Sequence, residues 1–161
     1  VELDLPDLLD SIAERITALD ATAYEQGDSV QGGYGLDGWT ETSIPTTAID
    51  GGSPVGHLQF VLVPVGSSNT DLDNDRPAGS VYTRTGLRLM YGYHLRTGSP
   101  SQVTDERLSM HAARDLRHAL LDEWPGDRIV YLVDAYSSMI TPDGEWLLVT
   151  IALDIFHDLP I

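Results

Sequence analysis

Residues 81–96 alternate without a break. Val81, Thr83, Thr85, Leu87, Leu89, Tyr91, Tyr93 and Leu95 take the odd positions, and Tyr82, Arg84, Gly86, Arg88, Met90, Gly92, His94 and Arg96 take the even ones. Successive side chains of a β-strand point to opposite faces, so this run presents one apolar face and one basic, polar face. A sixteen-residue strand spans about 50 Å. Its apolar face demands a covering layer. Its polar face does not, which favours an antiparallel sheet covered on one side. Gly86 and Gly92 are expected to mark bends or bulges in so long a strand.

The other elements suit that frame. Leu5, Leu8, Leu9, Ile12, Ile16 and Leu19 recur at helical spacing. With Asp4 to cap the start, Pro6 in the first turn, and Asp7 and Asp10 near the positive end of the dipole, they predict an amphipathic helix over residues 5–20. Residues 58–65 form a β-rich apolar run, with Pro64 marking its end or a sheet edge. After a polar turn, Thr104 is placed to cap a second helix over residues 105–123, with Leu108, Ala112, Leu116, Ala119 and Leu120 as its core stripe and Pro125-Gly126 ending it. Residues 129–136 and 146–157 read as strands joined by the turn "TPDG". Residues 21–56 are rich in Gly, Ser, Thr and Asp; a short strand is expected between Trp39 and Ile49, and the rest reads as a long loop or arm. The reading is one α+β domain over residues 1–161, with a sheet-helix core at 57–161. It contains an antiparallel sheet of about four strands with two helices packed on one face, in the order α-β-β-α-β-β, plus the arm.

The chain has 161 residues, enough for a core without disulfides, and no cysteine. No stretch approaches the roughly 20 apolar residues of a membrane helix, and the first twenty residues carry acids where a signal peptide carries Lys or Arg. A soluble protein made in the cytoplasm, with no membrane partner, is expected. The formal net charge is −16. That opposes tight binding to a nucleic-acid backbone. The charge is sectored: residues 1–75 carry −13, residues 76–126 carry +2, and residues 127–161 carry −5. All nine basic residues are Arg.

No motif supplies catalytic equipment. Gly33-Tyr34-Gly35-Leu36-Asp37-Gly38 fits the G-x-G-x-x-G string but lacks the preceding strand and following helix of a dinucleotide site. Asp71 to Asp75 begins like a calcium loop, yet Arg76 and Tyr82 stand where Gly and an acid are required. Gly51-Gly52-Ser53-Pro54-Val55 lacks the second Gly of a nucleophile elbow. The five histidines, His57, His94, His111, His118 and His157, form no metal-binding spacing. Neither a metal nor another cofactor is expected, and the chain is read as having no enzymatic activity. The competing reading is a small enzyme or ligand-binding domain using His94, His111 or Asp residues in a sheet–helix cleft. A third is an acidic nucleic-acid mimic, although no ordered row of acids is evident.

The charge pattern suggests contacts between copies. Arg107, His111, Arg114 and His118 form one stripe of the second helix. With Arg84, Arg88 and Arg96 on one strand face, two elements hold most of the positive charge. Asp4, Asp7, Asp10 and Glu14 face outward on the first helix. Basic elements on one side and acidic ones on another would let identical subunits pack head to tail and close a ring. The equal alternative is local pairing, for example of Arg107 or Arg114 with Asp105, Glu106 or Asp115.

The layout resembles that of the tail-terminator proteins of long-tailed bacteriophages, the family of lambda's minor tail protein U. Four segments carry the resemblance, which covers residues 1–20 and 57–161: the helix "DLPDLLDSIAERITAL", the strand "GLRLMYGYHLRTGSP", the helix "DERLSMHAARDLRHALLDE" and the final hairpin "RIVYLVDAYSSMITPDGEWLLVTIALDIFHDLPI". The resemblance implies a homo-oligomeric ring, a hexamer, that caps the finished tail tube and stops its growth. It also implies a surface for the head connector or stopper protein, and genome DNA passing non-specifically through an electronegative lumen. The protein would then reside in the virion tail or neck. Residues 21–56 exceed a simple helix-to-strand link. They fit an arm reaching a neighbour or a tail protein, and leave a neck or head–tail adaptor as the alternative role.

Overall fold

The computed structural model describes residues 4–19, 40–41, 58–69, 80–95, 101–126, 128–140 and 144–160. Helix α1 runs Leu5–Thr17, strand β1 Thr40–Glu41, β2 Gln59–Asn69, β3 Ser80–His94, helix α2 Ser101–Leu121, β4 Ile129–Ile140 and β5 Trp146–Pro160. The sheet order is β1-β2-β3-β5-β4. The four long strands are antiparallel throughout, as expected for this α+β class. The two-residue β1 adds a short parallel pairing against Gln59 and Phe60. It falls inside the segment expected to hold a short strand.

Strand β3 is central, paired along its full length with β5 from Ser80 opposite Pro160 to His94 opposite Trp146. Its odd positions from Thr83 to Leu95 are buried. Leu147, Val149, Ile151, Leu153 and Ile155 of β5 join them in one apolar cluster with Leu8, Ile12 and Ile16 of α1 and Leu108, Ala112, Leu116 and Leu120 of α2. Both helices therefore cover the same face. The hydroxyl of Tyr91 donates to the carbonyl of Ser109 at 2.7 Å, and Ser109 Oγ lies 2.9 Å from the Tyr136 hydroxyl, which ties α2 to β3 and β4.

Asp4 caps α1 as its sequence predicts, its carboxylate accepting from the Leu5 amide at 2.8 Å, with Pro6 in the first turn. Helix α2 begins at Ser101, four residues before its predicted start, so Thr104 lies inside the first turn instead of capping it. The physical reason lies in the sequence: Pro100 directly precedes Ser101, and a proline is well tolerated at a helix start, where no amide hydrogen is required, so the helical segment can begin there. Strand β4 runs to Ile140 and β2 to Asn69, both beyond their predicted ends. The bulge anticipated around Gly86 lies on the partner strand, between Pro64 and Gly66 of β2.

The far end of α2 is closed by α1. The Arg15 guanidinium donates to the carbonyls of Ala119 at 3.1 Å, Asp122 at 3.4 Å and Glu123 at 3.0 Å, and stacks 3.3 Å from the centre of the Trp124 ring. A cation at a helix C-terminus satisfies carbonyls that have no partner within the helix and opposes the negative end of the dipole. Arg128 also lies over Trp124, at 4.6 Å, and donates to Ser11 Oγ at 2.9 Å. Burial lowers the pKa of both guanidiniums from the ordinary value.

Candidate interaction surface

Among the described residues, the face of the sheet away from the helices is largely open. Arg84 and Arg88 are exposed there. Arg84 is bound within the subunit: its Nε and Nη2 lie 2.9 Å and 2.8 Å from Oδ2 of Asp154, across the β3–β5 pair. Beside this pair, Phe156 packs against Tyr82 at 6.2 Å and against Tyr131 at 5.4 Å, giving a shallow aromatic ledge that Ile129 extends. Toward the other end His94 stacks edge-on against Trp146 at 4.8 Å.

The basic residues singled out in the sequence do not form one surface. Arg107, His111 and His118 are exposed on α2, and Arg114 is half-buried. They belong to the helix layer, whereas Arg84 and Arg88 lie across the sheet from it. Asp7, Asp10 and Glu14 are exposed on α1, in the same layer as the α2 stripe. Arg96 lies outside the described residues. Arg114 is drawn toward Asp115, with Nε 3.6 Å from Oδ1. Asp105, a candidate surface partner for these arginines, is instead fully buried.

The residues of the enzyme reading also fall apart. His94 is on the open face of β3 and His111 on the outer face of α2, with the sheet and core between them. His157 is buried in the core layer, its Nε2 2.8 Å from Thr85 Oγ1, which in turn lies 2.8 Å from Ser67 Oγ. Burial lowers the His157 pKa, against the opposing pull of the Asp158 backbone and side chain. Burial raises the Asp115 pKa, and Arg114 only partly offsets it. Among the described residues no cluster of three or more His, Asp or Glu is placed to hold a metal ion, and no helix is long and apolar enough to cross a membrane. The strings at 33–38, 51–55 and 71–76, and His57, lie outside the described residues.

The sequence anticipates a strand at 129–136 and misses the exposure of β4. Ile129, Tyr131, Leu132, Val133, Met139 and Ile140 are 37–57% exposed, and they are six of the ten large apolar residues exposed among those described. They line a terminal strand of the sheet. The signal was present in the run Ile129–Val133, which is apolar at every position and does not alternate. Such a run reads as a strand buried on both faces. The order β5-β4 puts it at the edge of the sheet, where α2 touches it through Tyr136 and through Arg117, which donates to the Ala135 carbonyl at 3.0 Å, while those six apolar side chains stay exposed.

No protein-family model matches the sequence, and no curated protein matches it significantly.

Proposed function

We propose that this chain is a structural virion subunit, a tail terminator. It assembles into a ring, a hexamer, on the end of a phage tail tube, halts the tube's growth and presents a surface to the head connector, with DNA passing through the lumen. The observation that carries this reading is β4. An acidic chain that places six large apolar residues on one exposed edge has a surface suited to burial against a protein partner. The order of elements is the one the resemblance rests on. The net charge of −16 fits a ring through which a polyanion must slide without sticking. The sheet carries an exposed apolar edge, and Arg84 is paired with Asp154 within the subunit, which favours an assembly role over catalysis.

The test is direct. Purified protein is examined by native mass spectrometry and negative-stain imaging, alone and mixed with growing tail tubes. Rings, with tubes capped at one end and arrested in length, are expected. Protein that stays monomeric and leaves tube growth unchanged would sink the proposal.

A further inference from the structure

The sheet has two outer edges, and they match each other. Along β2, β1 pairs only with Gln59 and Phe60, so among the described residues the edge beyond Phe60 has no strand beside it. Along β4, no strand lies on the outer side among the described residues, and Arg117 of α2 donates to the Ala135 carbonyl at 3.0 Å. The strands are 11 and 12 residues long. Because each neighbour in β2-β3-β5-β4 is antiparallel, β2 and β4 run in opposite directions. A second copy carried across by simple rotation would set its β2 antiparallel to the first copy's β4.

Charge points the same way. In a chain with 25 acids and 9 arginines, β2 carries no charged residue and β4 carries only Asp134. Edge strands that remain solvated usually carry charges that prevent pairing. These two instead expose Val65 and Val133, each 57% accessible and each the extra residue of a bulge. On a molecule of charge −16, such neutral strips are where self-repulsion opposes contact least. A β4-to-β4 contact fits less well, because pairing about the strand centre brings two Asp134 carboxylates together.

We infer that the neutral outer edge of β4 docks on the β2 edge of a second copy of this chain, head to tail, and that the resulting contact is what joins subunits into a ring. Pro64 has no amide hydrogen to donate, and the bulges interrupt any ladder, so backbone pairing is short and the apolar side chains supply most of the contact. The inference rests on the ring reading above but assigns its interface to edges and not to the charged stripes.

The chain has no cysteine, so single cysteines can be placed freely. V65C and V133C proteins are mixed and treated with a short bis-maleimide. Crosslinking between unlike variants, with little between like ones, is expected. In parallel, V133K and V65K should each raise the dissociation constant of the assembly at least about tenfold, as an unpaired charge at a contact does, with the circular dichroism of the monomer unchanged. Crosslinking of V133C only to itself, or rings that tolerate both lysines, would overturn the edge assignment while leaving the ring intact. Wild-type protein that remains monomeric up to ~1 mM, the range of very weak association, would overturn the edge assignment and the ring together.

Discussion

At the scale of single residues, two buried ionisable groups stand under opposite pressures. Asp115 is 9% exposed, and its Oδ2 has no hydrogen-bond partner among the described residues. Burial raises its pKa, so the folded state holds the proton longer than the unfolded chain does. Stability is then greatest below the ordinary carboxylate value and falls as pH rises through the raised one. Asp115→Asn removes the charge and should raise Tm at pH 7 by roughly 2–4 °C. Thermal melts at pH 7 and pH 3 check this, the gain shrinking at the lower pH. His157 behaves in the other sense. Its pKa is lowered, chiefly by burial, so the unfolded chain takes up a proton first as the solution is acidified. Stability is expected to hold above pH 6.5 and to decline below it toward the folded value. In His157→Gln that part of the urea-midpoint profile should flatten. The surroundings of neither group were legible in the sequence. His157 continues the odd-numbered alternation of β5 onto the core face, but only the register that sets it opposite Thr83 and beside Thr85 shows what it packs against.

At the scale of elements, the periodic segments were the readable ones. The alternation of β3 and the apolar stripes of both helices depend on nearest neighbours along the chain, and their faces are as expected. The start of α2 and the far ends of β2 and β4 were not readable, because pairing partners fix them. Strand β4 continues past Tyr136 because Ser137 to Ile140 pair with Thr150 to Leu147 of β5, contacts that local pattern cannot display. The Arg15 cap was hidden for the same reason. As an isolated cation on a helix it looks solvated, and only the packing of α1 on α2 brings it to three carbonyls and an indole. Arg15→Ala is expected to lower stability by about 1–3 kcal/mol, and Arg15→Lys to recover only part of that, since an ammonium cannot both fork to several carbonyls and stack on a ring. Urea denaturation followed by tryptophan fluorescence measures both.

At the scale of the whole molecule, charge separates two ways of joining copies. An interface built from Arg107, His111, Arg114 and His118 against Asp7, Asp10 and Glu14 would weaken with salt. One built from neutral edges on a −16 subunit should strengthen, because screening shortens the repulsion between copies to about 10 Å at 0.1 M. Sedimentation from 50 to 500 mM NaCl, about a threefold change in screening length, should therefore show more assembled protein at the higher salt. The Arg15 contacts also matter at this scale. They join residues 104 to 108 positions apart in the chain. A bond that distant gains its free energy only after the intervening chain is ordered, so α1 is expected to dock late in folding and to be the unit that detaches first near equilibrium. Its detachment would uncover Leu8, Ile12 and Ile16 and the core surface beneath them, while the β3–β5 ladder stays closed. Amide exchange should record that as faster, partly unfolded opening in the N-terminal helix than at the centre of the sheet.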